Sequence, residues 1–139
     1  MSLRGRDVLS IDDLAPEELW GLLRHARDLK RRPPDGERPL RGQVLAMIFE
    51  KPSLRTRVTF EVAMWQLGGT AIYLAPQDVQ LGTRESVPDV ARNLERWVHA
   101  IMARTFAHET VEQLAAAARI PVINGLSDRE HPCQALADL

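Results

Sequence analysis

Seven side chains in three separate stretches of this chain are of the types that grip an oxygen-rich anion: Ser53, Arg55, Thr56 and Arg57 in one run, Arg104 alone, and His131 with Gln134. Guanidinium groups present planar forks of N–H donors that match phosphate oxygens two at a time. Hydroxyls add single donors. His131 and Gln134 stand three residues apart, so at a helix start both can face one way. An imidazole N–H there suits a carbonyl oxygen, and an amide oxygen suits an NH₂ group. An arginine cluster beside such a pair would fit an acyl phosphate. Taken singly none of these residues is specific, because the chain holds 16 Arg against 2 Lys; a solvated helix start reads equally well for residues 53–57, a surface position for Arg104 and a helix cap for His131.

The elements that carry these residues decide whether they meet. Residues 44–49 form a short continuous apolar run, which predicts a strand covered on both faces. A turn through Glu50, Lys51 and Pro52 then leads into a helix beginning near Arg55. Val58, Val62 and Trp65 fall at i, i+4 and i+7, with Phe60, Met64 and Leu67 beside them, which predicts an apolar helix face. The start of that helix aims free N–H groups and its positive end at the turn. Gly68 and Gly69 stop it, and residues 70–74 read as a second strand. Residues 75–86, with Gln80, Gly82 and Arg84, form a polar connection long enough to be a functional loop. A helix with Val87, Val90, Ala91, Leu94 and Trp97 on one face follows. A strand at 100–103, a helix carrying Val111, Leu114, Ala115 and Ala118, and a strand at 121–123 continue the pattern, and Pro132 opens a last helix. Near the N-terminus, Pro16, Glu17 and Glu18 open a helix striped by Leu19, Leu22, Leu23, Ala26 and Leu29, ended by Pro33-Pro34-Asp35-Gly36. Trp20, Trp65 and Trp97 lie on predicted apolar faces and are expected in the core.

This alternation predicts an α/β fold: a parallel sheet of about four strands with helices on both faces and right-handed crossovers. Ligands of open parallel sheets bind beyond the carboxyl ends of strands. The three stretches follow the first, third and fourth strands, so they should open onto one rim.

At 139 residues, 45% hydrophobic and 27% charged, the chain fits one domain spanning residues 1–139. A net charge of −1 offers no basic excess for nucleic acid or an anionic membrane, and neither is expected as a partner. No apolar run approaches the roughly 18 residues that span a bilayer, and no leader is recognisable, so a cytoplasmic location is expected. The one cysteine, Cys133, excludes an intrachain disulfide. It reads as a small buried hydrophobe, the alternative being a thiol of lowered pKa at a helix start. His131 and Cys133 stand two apart, with His99 and His108 scattered, which is not zinc-ligand spacing. Neither a P-loop nor a dinucleotide fingerprint is present. No metal and no cofactor is expected. The final helix breaks off with Leu136 and Leu139 in mid-pattern, which predicts a further C-terminal half outside this chain.

Residues 49–61, taken with Gln80-Leu81-Gly82, Met102-Ala103-Arg104-Thr105-Phe106, Asn124-Gly125-Leu126-Ser127-Asp128 and His131-Pro132-Cys133-Gln134, resemble the carbamoyl-phosphate domain of the aspartate/ornithine carbamoyltransferases, and most closely the ornithine branch. The resemblance runs over essentially the whole chain in the family's order. It implies a carbamoyl-phosphate site made of Ser53, Leu54, Arg55, Thr56, Arg57, Gln80, Arg104, His131, Pro132, Cys133 and Gln134, with Arg55, Arg104 and His131 as catalytic residues. Leu54 departs from the family's usual threonine; it loses a hydroxyl but keeps a backbone N–H. The resemblance also implies a homotrimer in which Gln80 reaches into a neighbouring subunit's site. It further implies transfer of the carbamoyl group to L-ornithine, bound by the half that is absent, in arginine biosynthesis or the arginine deiminase route. The Gln80 loop lacks the lysine-rich character of aspartate-specific members. The alternatives are an aspartate-type enzyme and a standalone module that binds a phosphorylated ligand without transfer. The 139-residue chain alone is expected to be inactive.

Overall fold

A computed structural model describes residues 2–31 and 36–139. The expected stop of the first helix at Pro33-Pro34-Asp35 lies outside the described residues. In chain order the elements are α1 (Pro16–Arg31), β1 (Val44–Phe49), α2 (Leu54–Gln66), β2 (Thr70–Leu74), α3 (Pro76–Val79), α4 (Val87–Leu94), β3 (Ala100–Arg104), α5 (His108–Ala117), β4 (Val122–Leu126) and α6 (Pro132–Asp138), with a short 3₁₀ turn at Ile11–Asp13. The strands form one four-stranded sheet in the order β2-β1-β3-β4, every pair parallel.

Side chains alternate across each strand with period two, and the two faces of β1 show how that builds the core. Ala46 and Ile48, with Ile101, Ala103 and Val122, pack under Val87, Val90 and Ala91 of α4 and Val111 and Leu114 of α5. Leu45, Met47 and Phe49, with Met102, pack under Phe60 and Met64 of α2. Helices therefore cover both faces. The outer edge of β4 is partly covered, because Val8 donates its N–H to Val122 O (2.9 Å) and accepts from Asn124 N (2.8 Å), so these two groups are taken and cannot pair with another chain. Among the described residues no helix is long and apolar enough to cross a membrane.

Helix α2 ends in a Schellman motif. Gly68, at φ +89°, donates to Trp65 O and Gly69 to Met64 O, so the last carbonyls are satisfied. Gly69 must lack a side chain as well, since a Cβ there would lie 3.0 Å from Gln43 O and 2.7 Å from Met64 Cε.

Several expectations are corrected. The face of α2 that meets the sheet carries Phe60 and Met64, while Val58, Val62 and Trp65 point outward, Trp65 with 77% of its surface exposed. Apolar side chains stand on two separate sides of the helix, Val58, Val62 and Trp65 on one and Phe60 and Met64 on the other, so spacing alone could not choose its inner face. Trp97 is exposed because α4 stops at Leu94 and the chain turns away, and Trp20 is exposed on α1. The connection at 75–86 is not wholly irregular but holds α3, capped by Gln80 in the left-handed region at φ 46°. The fourth strand begins one residue later than expected and extends to Leu126. Gly125 belongs to it because a Cβ there would sit 2.3 Å from Met102 Sδ.

Candidate functional site

From β1 the chain moves to β2 on one side and returns to β3 on the other, so the connections leaving β1 and β3 part company at the carboxyl end of the sheet. That divergence opens a crevice, the usual ligand position in open α/β sheets. Register keeps its floor level: Phe49 pairs with Arg104, and Arg104 with Leu126. The three predicted stretches thus leave the sheet at one height.

Glu50, the first residue beyond β1, fastens the parting connections together. Its N–H donates to Arg104 O (2.9 Å), and its carboxylate accepts from Phe106 N (2.7 Å). The sequence reading passed over this residue as part of the turn. Its signal was position, an acid directly after a buried strand and beside a cationic turn. Ser53 then caps α2 in an extended conformation (φ −156°, ψ 118°), its Oγ accepting from Thr56 N at 3.4 Å. No acid lies in the first turn of α2. The N–H groups of Leu54 and Arg55, which a helix start leaves without intrahelical partners, meet no protein acceptor among the described residues. Leu54 is 80% exposed, and what it offers the crevice is its backbone N–H.

Arg104 reaches across from β3. Its Nη1 donates to Thr56 Oγ1 (3.3 Å), whereas its Nε is buried and has no partner among the described residues. An unpartnered buried N–H costs about 1–3 kcal/mol. Burial first, and then the nearby Arg55 charge, lower the Arg104 pKa. An anion placed between the two guanidinium groups would relieve both penalties.

His131 caps α6, its Nδ1 accepting from Gln134 N (3.4 Å), which assigns the proton of the neutral ring to Nε2. Burial first, then Arg104, hold the His131 pKa below the ordinary imidazole value. A neutral ring with its proton on Nε2 is a donor suited to a carbonyl oxygen. Pro132 is buried at the first position of α6, where its missing N–H costs nothing. Cys133 points the other way, its Sγ 3.6 Å from Asn124 O, and burial pushes its thiol up to about 11. That direction is the one expected of a packed thiol and opposite to a thiol activated at a helix start.

The structure therefore brings together Ser53, Leu54, Arg55, Thr56, Arg104 and His131, with Arg104 close enough to Arg55, and His131 close enough to Arg104, for their charges to be felt. Besides Pro132 and Cys133, three expected residues stand apart. The Arg57 guanidinium lies over the Tyr73 ring, 3.7 Å from its centroid, with Nε 3.6 Å from Glu61, so this second fork faces β2. The Gln134 amide is turned along its own helix to Asp138 (2.8 Å). Gln80 is exposed, and with Glu50 and Phe106 it lines a small rim cavity of about 150 Å³. A larger cavity of about 790 Å³, lined by Leu29, Trp65 and Gly68 among others, lies near the amino ends of the strands, away from every predicted site residue. Among the described residues no group of three His, Cys, Asp or Glu side chains is placed to hold a metal ion.

Residues 6–139 match the family model for the aspartate/ornithine carbamoyltransferase carbamoyl-phosphate-binding domain. The chain is 57% identical over its whole length to the ornithine carbamoyltransferase of Anoxybacillus flavithermus, of which it covers 45%. Among solved structures, the ornithine carbamoyltransferase of Pyrococcus furiosus superposes with a TM-score of 0.95 at 55% identity, over 99% of this chain and 45% of that one. The Thermus thermophilus enzyme gives 0.89 at 57% identity, over 95% and 46%. The chain thus spans a little under half the length of the relatives it matches. It belongs to the aspartate/ornithine carbamoyltransferase family, as a carbamoyl-phosphate-binding domain.

Proposed function

We propose that this chain is the carbamoyl-phosphate half of an enzyme that transfers the carbamoyl group to the side-chain amine of L-ornithine, giving citrulline and phosphate. The observation that carries the reading is the half-buried Arg104, with an unpartnered Nε, set beside Arg55, Thr56 and His131 at the crevice. The Arg55 fork and the free N–H groups of Leu54 and Arg55 hold the phosphate, where the helix dipole favours negative charge. Arg104 lies between the phosphate and carbonyl positions. His131 donates Nε2–H to the carbonyl oxygen. The acceptor amine attacks the carbonyl carbon, that oxygen takes up negative charge in a tetrahedral intermediate, the bond to the phosphate oxygen breaks, and the amine releases a proton. Donors aimed at such an oxyanion are each worth about 2.7–4 kcal/mol of barrier. No covalent enzyme intermediate is needed, so positioning and electrostatics supply the acceleration.

In the same reading the chain assembles as a homotrimer in the cytoplasm. The Gln80 loop reaches a neighbouring subunit's site. Support comes from Gln80 standing exposed in a left-handed conformation, and from the outward apolar stripe of Leu54, Val58, Val62 and Trp65 on α2. Calorimetric titration of carbamoyl phosphate into the chain should give saturable binding, while the chain incubated with carbamoyl phosphate and ornithine should form no citrulline. Citrulline formation would overturn the division of labour between two halves, and absence of binding would overturn the site.

A further inference from the structure

His108 is buried, titratable and unused by the mechanism above. It opens α5 with its side chain only 5% exposed. Its Nδ1 lies 2.7 Å from Ser127 Oγ, the shortest contact that hydroxyl makes. Asn124 Nδ2 (3.2 Å), Arg129 N (3.4 Å), Glu130 N (3.5 Å) and Glu130 O (3.4 Å) crowd around the same oxygen. One hydroxyl has one proton and two lone pairs, and contacts near 3.5 Å are weak, so His108 is its principal partner. On the far side of the ring, Nε2 is 3.6 Å from Glu112, which pairs with Arg129 at 3.2 Å.

Ser127 sits in the turn that links β4 to His131. That turn begins from Leu126 at φ 152°, a region a branched side chain rarely enters, so local preference does not hold it. Tertiary bonds from Thr105 N to Leu126 O (2.8 Å) and from Asp128 N to Phe106 O (2.9 Å) hold it instead, and Asn124 Oδ1 adds a local bond by accepting from Leu126 N (2.9 Å). The main-chain N–H of His108 adds a bond to Asp128 (2.8 Å). The His108 side chain is the one contact from α5 that reaches the hydroxyl at the centre of this turn.

We propose that His108 is a positioning residue for the anion site: through Ser127 it fixes the turn that sets the place of His131 over the ends of the strands. This rests on the carbamoyl-phosphate reading and extends it to a residue that touches no ligand. The test uses two substitutions in the 139-residue chain. In His108→Asn the amide occupies the place of Nδ1 and keeps the bond to Ser127; in His108→Gln the amide sits where Nε2 was and loses it. Three quantities are read: carbamoyl-phosphate affinity by calorimetry, global stability by urea unfolding, and the His131 ring resonances through a pH titration. The expected result is wild-type affinity and wild-type His131 resonances for His108→Asn. For His108→Gln, affinity should fall about 3- to 10-fold, the worth of one hydrogen bond, with displaced His131 resonances. Equal affinity in both variants, or losses that follow stability alone, would overturn the proposal. Unmoved His131 resonances in His108→Gln would overturn it even if the wild-type chain bound no carbamoyl phosphate, a result that would separately sink the ligand assignment.

Discussion

Helices α2 and α5 both begin just beyond a central strand at the carboxyl end of the same sheet, and their starts could hardly differ more. At α2 the cap is a neutral serine, the first turn holds no acid, and two guanidinium groups and two free N–H groups face the crevice. At α5 the first N–H is taken by the Asp128 carboxylate, Glu109 follows in the first turn, and the His108 ring is buried against Ser127. Each has the positive dipole end that favours an anion, but at α5 the protein supplies the anion itself. A helix start becomes a ligand site only where the fold leaves it unanswered. Here the parting of β1 and β3 and the Glu50 clamp keep it open while gathering Arg104 to it.

The largest expected effect comes from making α2 resemble α5. Ser53→Asp preserves a good cap but puts a carboxylate where the phosphate would lie; a like charge at about 4 Å costs up to about 4 kcal/mol at an effective dielectric of 20. Calorimetry should show carbamoyl-phosphate binding weakened at least about 100-fold with thermal stability kept. Arg55→Ala comes next. Removing one charged donor costs about 1.5–3 kcal/mol, a loss of about 10- to 150-fold in affinity, with an unchanged circular dichroism spectrum. Asp128→Asn, the matching change at α5, keeps a capping oxygen and removes its charge. It should lower stability to urea by no more than about 1 kcal/mol and shift carbamoyl-phosphate affinity less than threefold, which sharpens the contrast. The smallest effect is on His131. Its ring should titrate below the ordinary imidazole value in an NMR pH series, since burial and Arg104 both oppose the charge. A depressed histidine leaves stability unaffected well above its unfolded value and lowers it as pH falls from there towards the folded pKa, because the unfolded chain takes the proton first.

Much of this arrangement was legible in the amino acids. The apolar runs at 44–49 and 70–74 carried no rival interpretation, and with the alternating helices they placed Ser53, Arg104 and His131 after strands whose ends are level. What escaped was side-chain direction. Val58, Val62 and Trp65 had helical spacing, yet Phe60 and Met64 occupy the inner face, because a helix with apolar residues on two separate sides leaves periodicity unable to choose between them. Arg57 was grouped with Arg55 by proximity, although residues two apart on a helix face different ways and Tyr73 offers its ring to the second. Glu50 was read as part of a turn and Asn124 only as part of a motif beyond the fourth strand; their work depends on partners 56 and 115 residues away in sequence.

Arg104→Met tests the centre of this account most directly, because methionine refills the buried volume without the charge. Carbamoyl phosphate titrated calorimetrically into the wild-type and Arg104→Met chains at equal protein concentration should bind the first and show at least about a tenfold loss with the second. The variant should be no less stable to urea, since a half-buried cation with an unpaired Nε has been removed. Equal affinity for the two chains would contradict the claim that the orphaned Arg104 donor awaits this anion.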